Sequence, residues 1–403
     1  MKTYAELRQH AGNAALFRAA QLSLIGAIRE CPLHLHAQGV RGTGKTTLLR
    51  AAATLLPPIV RIEGCLYNCD PRAPHCPEHR EADEAALRRA ETVPGPFLEL
   101  SHSTKVATAV GSIDLSRLVG VVDPAAALLP GIIPQAHRGI VFIDEINRLA
   151  DTAPELTDIL LDVMGTKPGR LQVEESGLPV ATLTTVTTVW AASNPDEDPG
   201  PLAEIRRQLS DRFDLVVTVE RPQEAGVVQE IIAEQVRSLA EPSGEAGLAA
   251  GEASRHLAAA REALLQAAAR VPQVVLPEAL SQLIASVYLQ YGIESLRAAE
   301  GLALASVFNC ALRGGATVER SDLATVAPLV LAHRLDAETL AAILDHLAGG
   351  ASLPKGGSGA RGGQNKGGRG AGRAGGGVFG LRRARLLRDL DPFEAWRPEN
   401  ELK

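Results

Sequence analysis

Residues 39–46 read Gly39-Val40-Arg41-Gly42-Thr43-Gly44-Lys45-Thr46, a full match to Gly-x4-Gly-Lys-[Ser/Thr], and this octapeptide decides the fold. Its glycines let the backbone curl so that successive N–H groups aim at phosphate oxygens. Lys45 supplies a cation for the β- and γ-phosphates, and the Thr46 hydroxyl is a hard oxygen donor suited to Mg2+. Gly39, Gly42, Thr43, Gly44, Lys45, Thr46 and Thr47 are therefore the candidate nucleotide-binding residues. The setting agrees, since LHLHAQG (33–39) reads as a strand entering a glycine turn and TTLLRAAATLL (46–56) as a helix. Taken alone, the motif specifies a nucleoside triphosphate.

The other half of such a site lies at the ends of further buried strands. Ile140-Val141-Phe142-Ile143-Asp144-Glu145 is an apolar run closing on two acids. Asp144 is suited to hold Mg2+ through water, and Glu145 to polarise the attacking water as general base, a role that a kinase does not need. The run TTVWAASN (187–194) ends in Asn194, whose amide can hydrogen-bond the γ-phosphate or the water; Asn194-Pro195 is equally a turn dipeptide. Next, EIRRQLSDRFD (204–214) carries Arg206, Arg207 and Arg212. A guanidinium is what a developing γ-phosphate charge requires, and a neighbouring subunit can supply it; a solvated helix face is the alternative.

Working outward, the first 30 residues read as a helix, and short apolar runs at 59–62, 140–143, 186–192 and 215–219 stand between helical stretches. That is the pattern of a parallel sheet covered on both faces. Residues 171–186 break the order with two β-like runs around Ser176-Gly177, which predicts an inserted hairpin. From about 222 the strands stop. Stretches 222–240, 252–270, 277–291, 295–313 and 321–347 are Ala/Leu-rich with helical periodicity. The expected organisation is an α/β nucleotide-binding domain over 1–221 with a Cys-rich insertion at 64–80, an all-helical domain over 222–348, a flexible Gly/Arg-rich linker over 349–377 and a short segment over 378–403.

The chain has 403 residues, which suits two domains, and with 45% hydrophobic and 22% charged residues it can bury a sizeable core. Aromatic residues make up 3%, too few for base-stacking platforms. The net charge of −6 is uneven: residues 351–403 hold 11 Lys/Arg against 5 Asp/Glu, leaving 1–350 at −12. An acidic body with a basic tail argues against nucleic acid as the body's substrate. The N-terminus has no apolar signal region, and no apolar run reaches the ~20 residues of a membrane helix, so the expected location is the cytoplasm.

In that reducing setting, clustered cysteines are metal ligands or redox groups more often than disulfides. Cys65, Cys69, Cys76 and His79 follow the spacing Cys-x3-Cys-x6-Cys-x2-His, with His75 as an alternative ligand. Thiolates with an imidazole suit tetrahedral Zn2+, three thiolates could also hold an Fe–S cluster, and a loop of free thiols is the third reading. Cys31 and Cys310 are isolated and read as packed apolar residues.

The phosphate loop, the Asp-Glu strand, the Asn strand tip, Asp211-Arg212-Phe213 and a trailing helical domain together resemble the AAA+ ATPases, an α/β P-loop fold. The segments are similar in more detail to the I subunit of magnesium chelatase, within the clade shared with the MoxR proteins. GVRGTGKTT (39–47), VGSIDLSRL (110–118), PGIIPQAHRGIVFIDEINRL (130–149), AASNPDED (191–198), RRQLSDRFD (206–214) and the block 294–335 carry this resemblance, in order, over roughly residues 4–340. It implies a homo-oligomeric ring, usually a hexamer, with ATP and Mg2+ between neighbours. It also implies a helical lid over 222–348, Asn194 as sensor 1, Arg212 as arginine finger and Arg297 as sensor 2. Asp214, where the family usually has Gly, Ser210, where it has Leu, and the segment His102-Ser103-Thr104-Lys105 depart from its pattern.

The implied function is ATP-driven conformational work on partner subunits: a large chelatase subunit and one bearing a von Willebrand/integrin-type domain, with metal insertion into a tetrapyrrole as the outcome. Two other readings remain open at this point. One is a MoxR-like ATPase remodelling an adhesion-domain protein or metalloenzyme. The other is a nucleotide-dependent scaffold without turnover, against which Glu145 and Arg212 count.

Overall fold

The computed structural model describes residues 4–83, 87–113, 128–173, 181–240 and 246–349. The linker beyond 349, the segment 378–403, the Ser176-Gly177 turn and most of the 110–118 block lie outside the described residues. Five strands make the central sheet: β1 (Leu35–Gln38), β2 (Phe97–Leu100), β3 (Gly139–Ile143), β4 (Thr187–Ser193) and β5 (Leu215–Thr218). Their order is β5-β1-β4-β3-β2, and every neighbouring pair is parallel. Leu35 stands between Trp190 and Leu215, and Trp190 stands opposite Phe142. β3 and β4 are buried along their whole length, which is why their sequences are continuously apolar or small rather than alternating.

One expected strand belongs elsewhere. Ile59–Ile62 pairs antiparallel with Ala90–Val93 in a separate two-stranded ribbon, and Val60 is 49% exposed there. The fifth strand of the sheet is instead β2, whose Phe-Leu-Glu-Leu follows Pro94-Gly95-Pro96 and carries an exposed charge at Glu99, on the same face as Phe97. The expected hairpin forms, with Gly169–Val173 antiparallel to Ala181–Thr185 and Leu171 opposite Leu183.

Helix α1 (Ala14–Ile28) lies between the two halves of the molecule. Its Leu16, Leu22 and Ile25 share one apolar core with Trp190 and Leu215 of the sheet and with Leu264, Leu302 and Phe308 of the helical region. Two polar contacts pin it on either side. Ser23 Oγ accepts the Trp190 indole N–H at 2.7 Å, and Arg18 donates to Asn309 Oδ1 at 3.0 Å. A second core, on the other side of the sheet, gathers Ile143, Ile146, Leu160 and Phe213 with Cys65, Cys69 and Cys76.

Helix α2 (Lys45–Ala53) packs into the core that holds α1, and α3 (Ile146–Thr152) and α4 (Arg207–Arg212) into the core on the other face of the sheet. The described helical region comprises α5 (Ala225–Ala240), α6 (Ala246–Arg270), α7 (Glu278–Gln290), α8 (Leu296–Leu312), α9 (Arg320–Leu331) and α10 (Ala337–Leu347). The stretch 321–347, expected as one helical run, is two helices. Asp336 starts the second by accepting the Thr339 N–H at 2.8 Å, a side-chain N-cap. Cys310 is buried and Cys31 packs half-buried against the same core, as expected.

Candidate nucleotide site

The candidate residues meet at the carboxyl edge of the sheet. The phosphate loop leaves β1, Asp144 and Glu145 leave β3, and Asn194 leaves β4, the strand between them. Crevices at such strand ends are where open α/β sheets bind ligands. The cleft here encloses about 330 Å³ and is lined by Gly42, Gly44, Lys45, Thr46, Thr47, Asp144, Glu145 and Asn194, together with Arg41, Ser193 and Glu197.

Two glycine requirements shape the loop. At Gly39 a Cβ would stand 2.3 Å from the Val219 carbonyl oxygen, so only glycine lets β1 turn so close to β5. Gly44 has φ +81° with open space where a side chain would point, and it leads directly into α2. No side chain caps that helix start, so its N–H groups and positive dipole end face the cleft.

Lys45 is 8% exposed, and its Nζ donates to the carbonyls of Gly39 at 2.6 Å and Val40 at 2.9 Å. Burial pushes its pKa down, while the charges of Asp144 and Glu197 oppose the shift. Thr46 Oγ1 donates to Asp144 Oδ1 at 3.1 Å, joining the start of α2 to the end of β3. A hydroxyl and a carboxylate oxygen side by side are the donors a small hard cation takes, so the residues present fit Mg2+. Arg50, one turn further along α2, makes two 2.8 Å hydrogen bonds to Glu99 of β2 and lies 3.8 Å from Asp144 Oδ2. Its guanidinium also sits over the Phe142 ring, 5.6 Å from the centroid. Arg50 has no motif spacing to reveal it; only its pairing with a strand that reads weakly in sequence would have found it.

Glu145 adopts φ +53°, a left-handed conformation that costs a non-glycine residue ~1 kcal/mol and gathers at functional sites. Its carboxylate lies 3.2 Å from Arg148, which is 3.8 Å from Glu197, itself paired with Arg41 at 2.9 Å. Asn194 makes the turn and stands at the cleft, its side-chain oxygen accepting the Asp196 N–H at 3.3 Å.

The arginines divide. Arg206 is paired with Asp158, and Arg207 with Glu294 at 2.9 Å. Arg212 and Arg297 lie together, Arg297 donating to the Arg212 carbonyl at 3.2 Å and to the Gly165 carbonyl at 3.0 Å. Neither lines the cleft of its own chain. Asp214, a departure from the family pattern, is buried beside them. It accepts the His34 N–H at 2.8 Å and lies 4.0 Å from both Arg297 and Lys167. Arg334 of the helical region adds three bonds to the same corner, to Asp211 Oδ1 and to the carbonyls of Asp211 and Phe213.

Two features stand apart from the cleft. A larger cavity of about 700 Å³, between the end of α2, Pro94–Phe97 and Arg261, holds none of the candidate residues. The donor atoms of Cys65, Cys69, Cys76 and His79 converge within 4.8 Å of one another, and His75 Nδ1 stands 3.2 Å from Cys69 Sγ.

Residues 281–346 match the AAA lid domain. The magnesium-chelatase 38 kDa subunit of Acidiphilium rubrum is 37% identical over 306 residues, which cover 75% of this chain and 84% of the relative. The chain belongs to the magnesium-chelatase I-subunit family. The 38 kDa subunit of Cereibacter sphaeroides is 32% identical over 75% of this chain and 84% of its own length. A Cytophaga hutchinsonii protein assigned as an ATPase, in a 2.00 Å crystal structure, shares the fold at a TM-score of 0.51 and 17% identity, over 85% of this chain and 91% of that one. As a chelatase I-subunit relative the chain is an AAA+ ATPase, and ATP and Mg2+ are the ligands that membership implies. Among the described residues, no helix is long and apolar enough to cross a membrane.

Proposed function

We propose that this chain hydrolyses ATP as one subunit of a ring, a hexamer by its family, and passes the resulting movement to larger chelatase subunits in the cytoplasm. The supporting observation is the 3.1 Å contact of Thr46 with Asp144 in the cleft that also holds Lys45 and Glu145. Lys45 and the N–H groups opening α2 hold the β- and γ-phosphates. Thr46 and Asp144 would hold Mg2+, which when bound offsets phosphate charge. Asn194 orients the water and Glu145 takes its proton as the oxygen adds to the γ-phosphorus; the bond to the β-phosphate oxygen breaks, giving ADP and phosphate.

Arg212 and Arg297 do not line their own cleft, which suits groups that serve the γ-phosphate of the next subunit. The work done is metal insertion into a tetrapyrrole, carried by a large subunit and by one with a von Willebrand/integrin-type domain. An ATPase that remodels some other protein would keep all these residue roles and differ only in which partner stimulates turnover.

The test is ATP turnover by the purified chain, alone and with chelatase partner subunits. Lys45→Ala should lose nucleotide binding, whereas Glu145→Gln should bind and not turn over. Absence of turnover in every mixture, with Glu145→Gln indistinguishable from the parent, overturns the reading; turnover stimulated only by non-chelatase partners overturns the chelatase assignment alone.

A further inference from the structure

Between the two strands of the outer ribbon, Ile59–Ile62 and Ala90–Val93, runs the loop that carries the thiols. Cys65, Cys69 and Cys76 are 2%, 0% and 0% exposed, all three as free thiols, and the His79 imidazole joins them. We propose that these four residues form a structural site for a single Zn2+ ion, separate from the nucleotide cleft.

The argument begins with donor geometry. Zn–S bonds of ~2.3 Å set tetrahedral ligand atoms about 3.8 Å apart, so four donors within 4.8 Å suit one ion with little adjustment. An Fe–S cluster places several irons and sulfides between its thiolates, which holds the ligand sulfurs further apart than around one ion. A disulfide would consume two thiols and leave the third sulfur and the imidazole without a shared task.

The backbone is also arranged for thiolate charge. The N–H groups of His75 and Cys76 both point at Cys69 Sγ, each at 3.3 Å. Among the described residues, His79 is the imidazole of the converging set. His75 stands behind Cys69 and stacks on His137, with ring centroids 3.8 Å apart, as an outer partner that orients the sulfur.

The loop is tied to the body through the residues between its ligands. Asn68 donates to the Gln135 carbonyl at 2.6 Å, Tyr67 to the Leu128 carbonyl at 3.3 Å, and Asp70 pairs with Arg138 at 3.5 Å. Arg138 immediately precedes β3, and it also donates to the Val60 carbonyl at 2.7 Å. The ion therefore clamps the ribbon to the entry end of β3, whereas Asp144 follows its exit end, roughly 16 Å away for a five-residue strand. Loss of zinc should loosen this end and leave nucleotide binding in place.

Elemental analysis and native mass spectrometry of the full chain, purified anaerobically without added metal, decide the matter. One Zn2+ per chain is expected. Cobalt exchanged into the same site should show the intense visible bands and thiolate charge transfer of a tetrahedral sulfur-rich ion. Cys69→Ser and His79→Ala should lower zinc retention during dialysis against a chelator by at least about tenfold, as outer-partner losses alone already weaken such sites 10–100-fold. Cys31→Ser and Cys310→Ser should keep the full complement. If the ligand variants do not fold, the parent's metal content and cobalt spectrum still decide. Iron with labile sulfide, a Cys–Cys disulfide in the native chain, or no metal with all thiols freely alkylated would each overturn the proposal.

Discussion

Arg297 hydrogen-bonds the carbonyl of Arg212 at 3.2 Å, so the two arginines that the family resemblance assigns to the γ-phosphate occupy one corner of the chain, outside its own cleft. If both act on the neighbouring subunit, Arg212→Ala should lower turnover by ~10³-fold or more while nucleotide binding is retained. Mixing Arg212→Ala with Glu145→Gln subunits in equal amounts should restore about a quarter of the interfaces, each with one intact acid and one intact arginine. Turnover of the mixture, compared with each variant alone in rings confirmed by mass, is the measurement. No recovery would place the arginine's action within its own subunit.

Glu145 should separate chemistry from folding. Its carboxylate is half-exposed and, among the described residues, pairs with Arg148, so Glu145→Gln keeps the shape and the melting temperature. Turnover should fall by ~10²–10⁴-fold, the usual contribution of a general base. Equal losses in ATP affinity and turnover would show that the side chain holds nucleotide instead.

Asp214 makes a stability prediction. The carboxylate is 2% exposed and accepts the backbone N–H that opens β1. Asp214→Ala leaves that N–H and the nearby Lys167 and Arg297 without their partner, at a cost of roughly 2–4 kcal/mol. Melting should drop by about 3–5 °C, whereas Asp214→Asn, which keeps an acceptor oxygen, should lose clearly less. Equal losses for the two variants would remove the hydrogen bond from the explanation.

Acid should destabilise the chain through two buried histidines. Burial lowers the His34 and His36 pKa values to about 3 each, Asp214 opposing the shift at His34. His34 Nδ1 accepts the Val189 N–H at 3.0 Å, which requires the neutral ring. Below the unfolded value of ~6.5 the unfolded chain binds protons that the folded chain refuses, so stability falls as pH drops from about 6.5 towards 3. At pH 5 each histidine should cost about 1–2 kcal/mol. Denaturant midpoints at pH 8, 6 and 5 should fall in the parent and fall less in His36→Gln; parallel curves would exclude His36 as a cause.

The phosphate loop, Asp144-Glu145 and the Asn194 strand tip were legible because their chemistry demands particular residue types at fixed positions on buried strands. Strand β2 was not, because Glu99 and the preceding prolines disguise an edge strand whose Phe97 packs on one face of the sheet and Leu98 and Leu100 on the other. Arg50 and Arg334 escaped for a different reason. Their partners, Glu99 and Asp211, lie 49 and 123 positions away, and no local pattern encodes such a pairing. The ribbon strand at 59–62 misled in the opposite sense, since apolar character reports β structure without saying which sheet receives it.

Helix α1 has a consequence for any attempt to take this protein apart. Leu16, Leu22 and Ile25 are covered by the sheet on one side and by Leu264, Leu302 and Phe308 on the other. A fragment starting at residue 222 would present those last three side chains to water, at ~25 cal/mol for every square ångström of apolar surface uncovered. The change from α/β to all-helical near residue 221 therefore marks a division of architecture and not a seam along which the chain can be cut. Heating should melt both parts in a single cooperative step, and a protease should find no early cut that frees a stable C-terminal half.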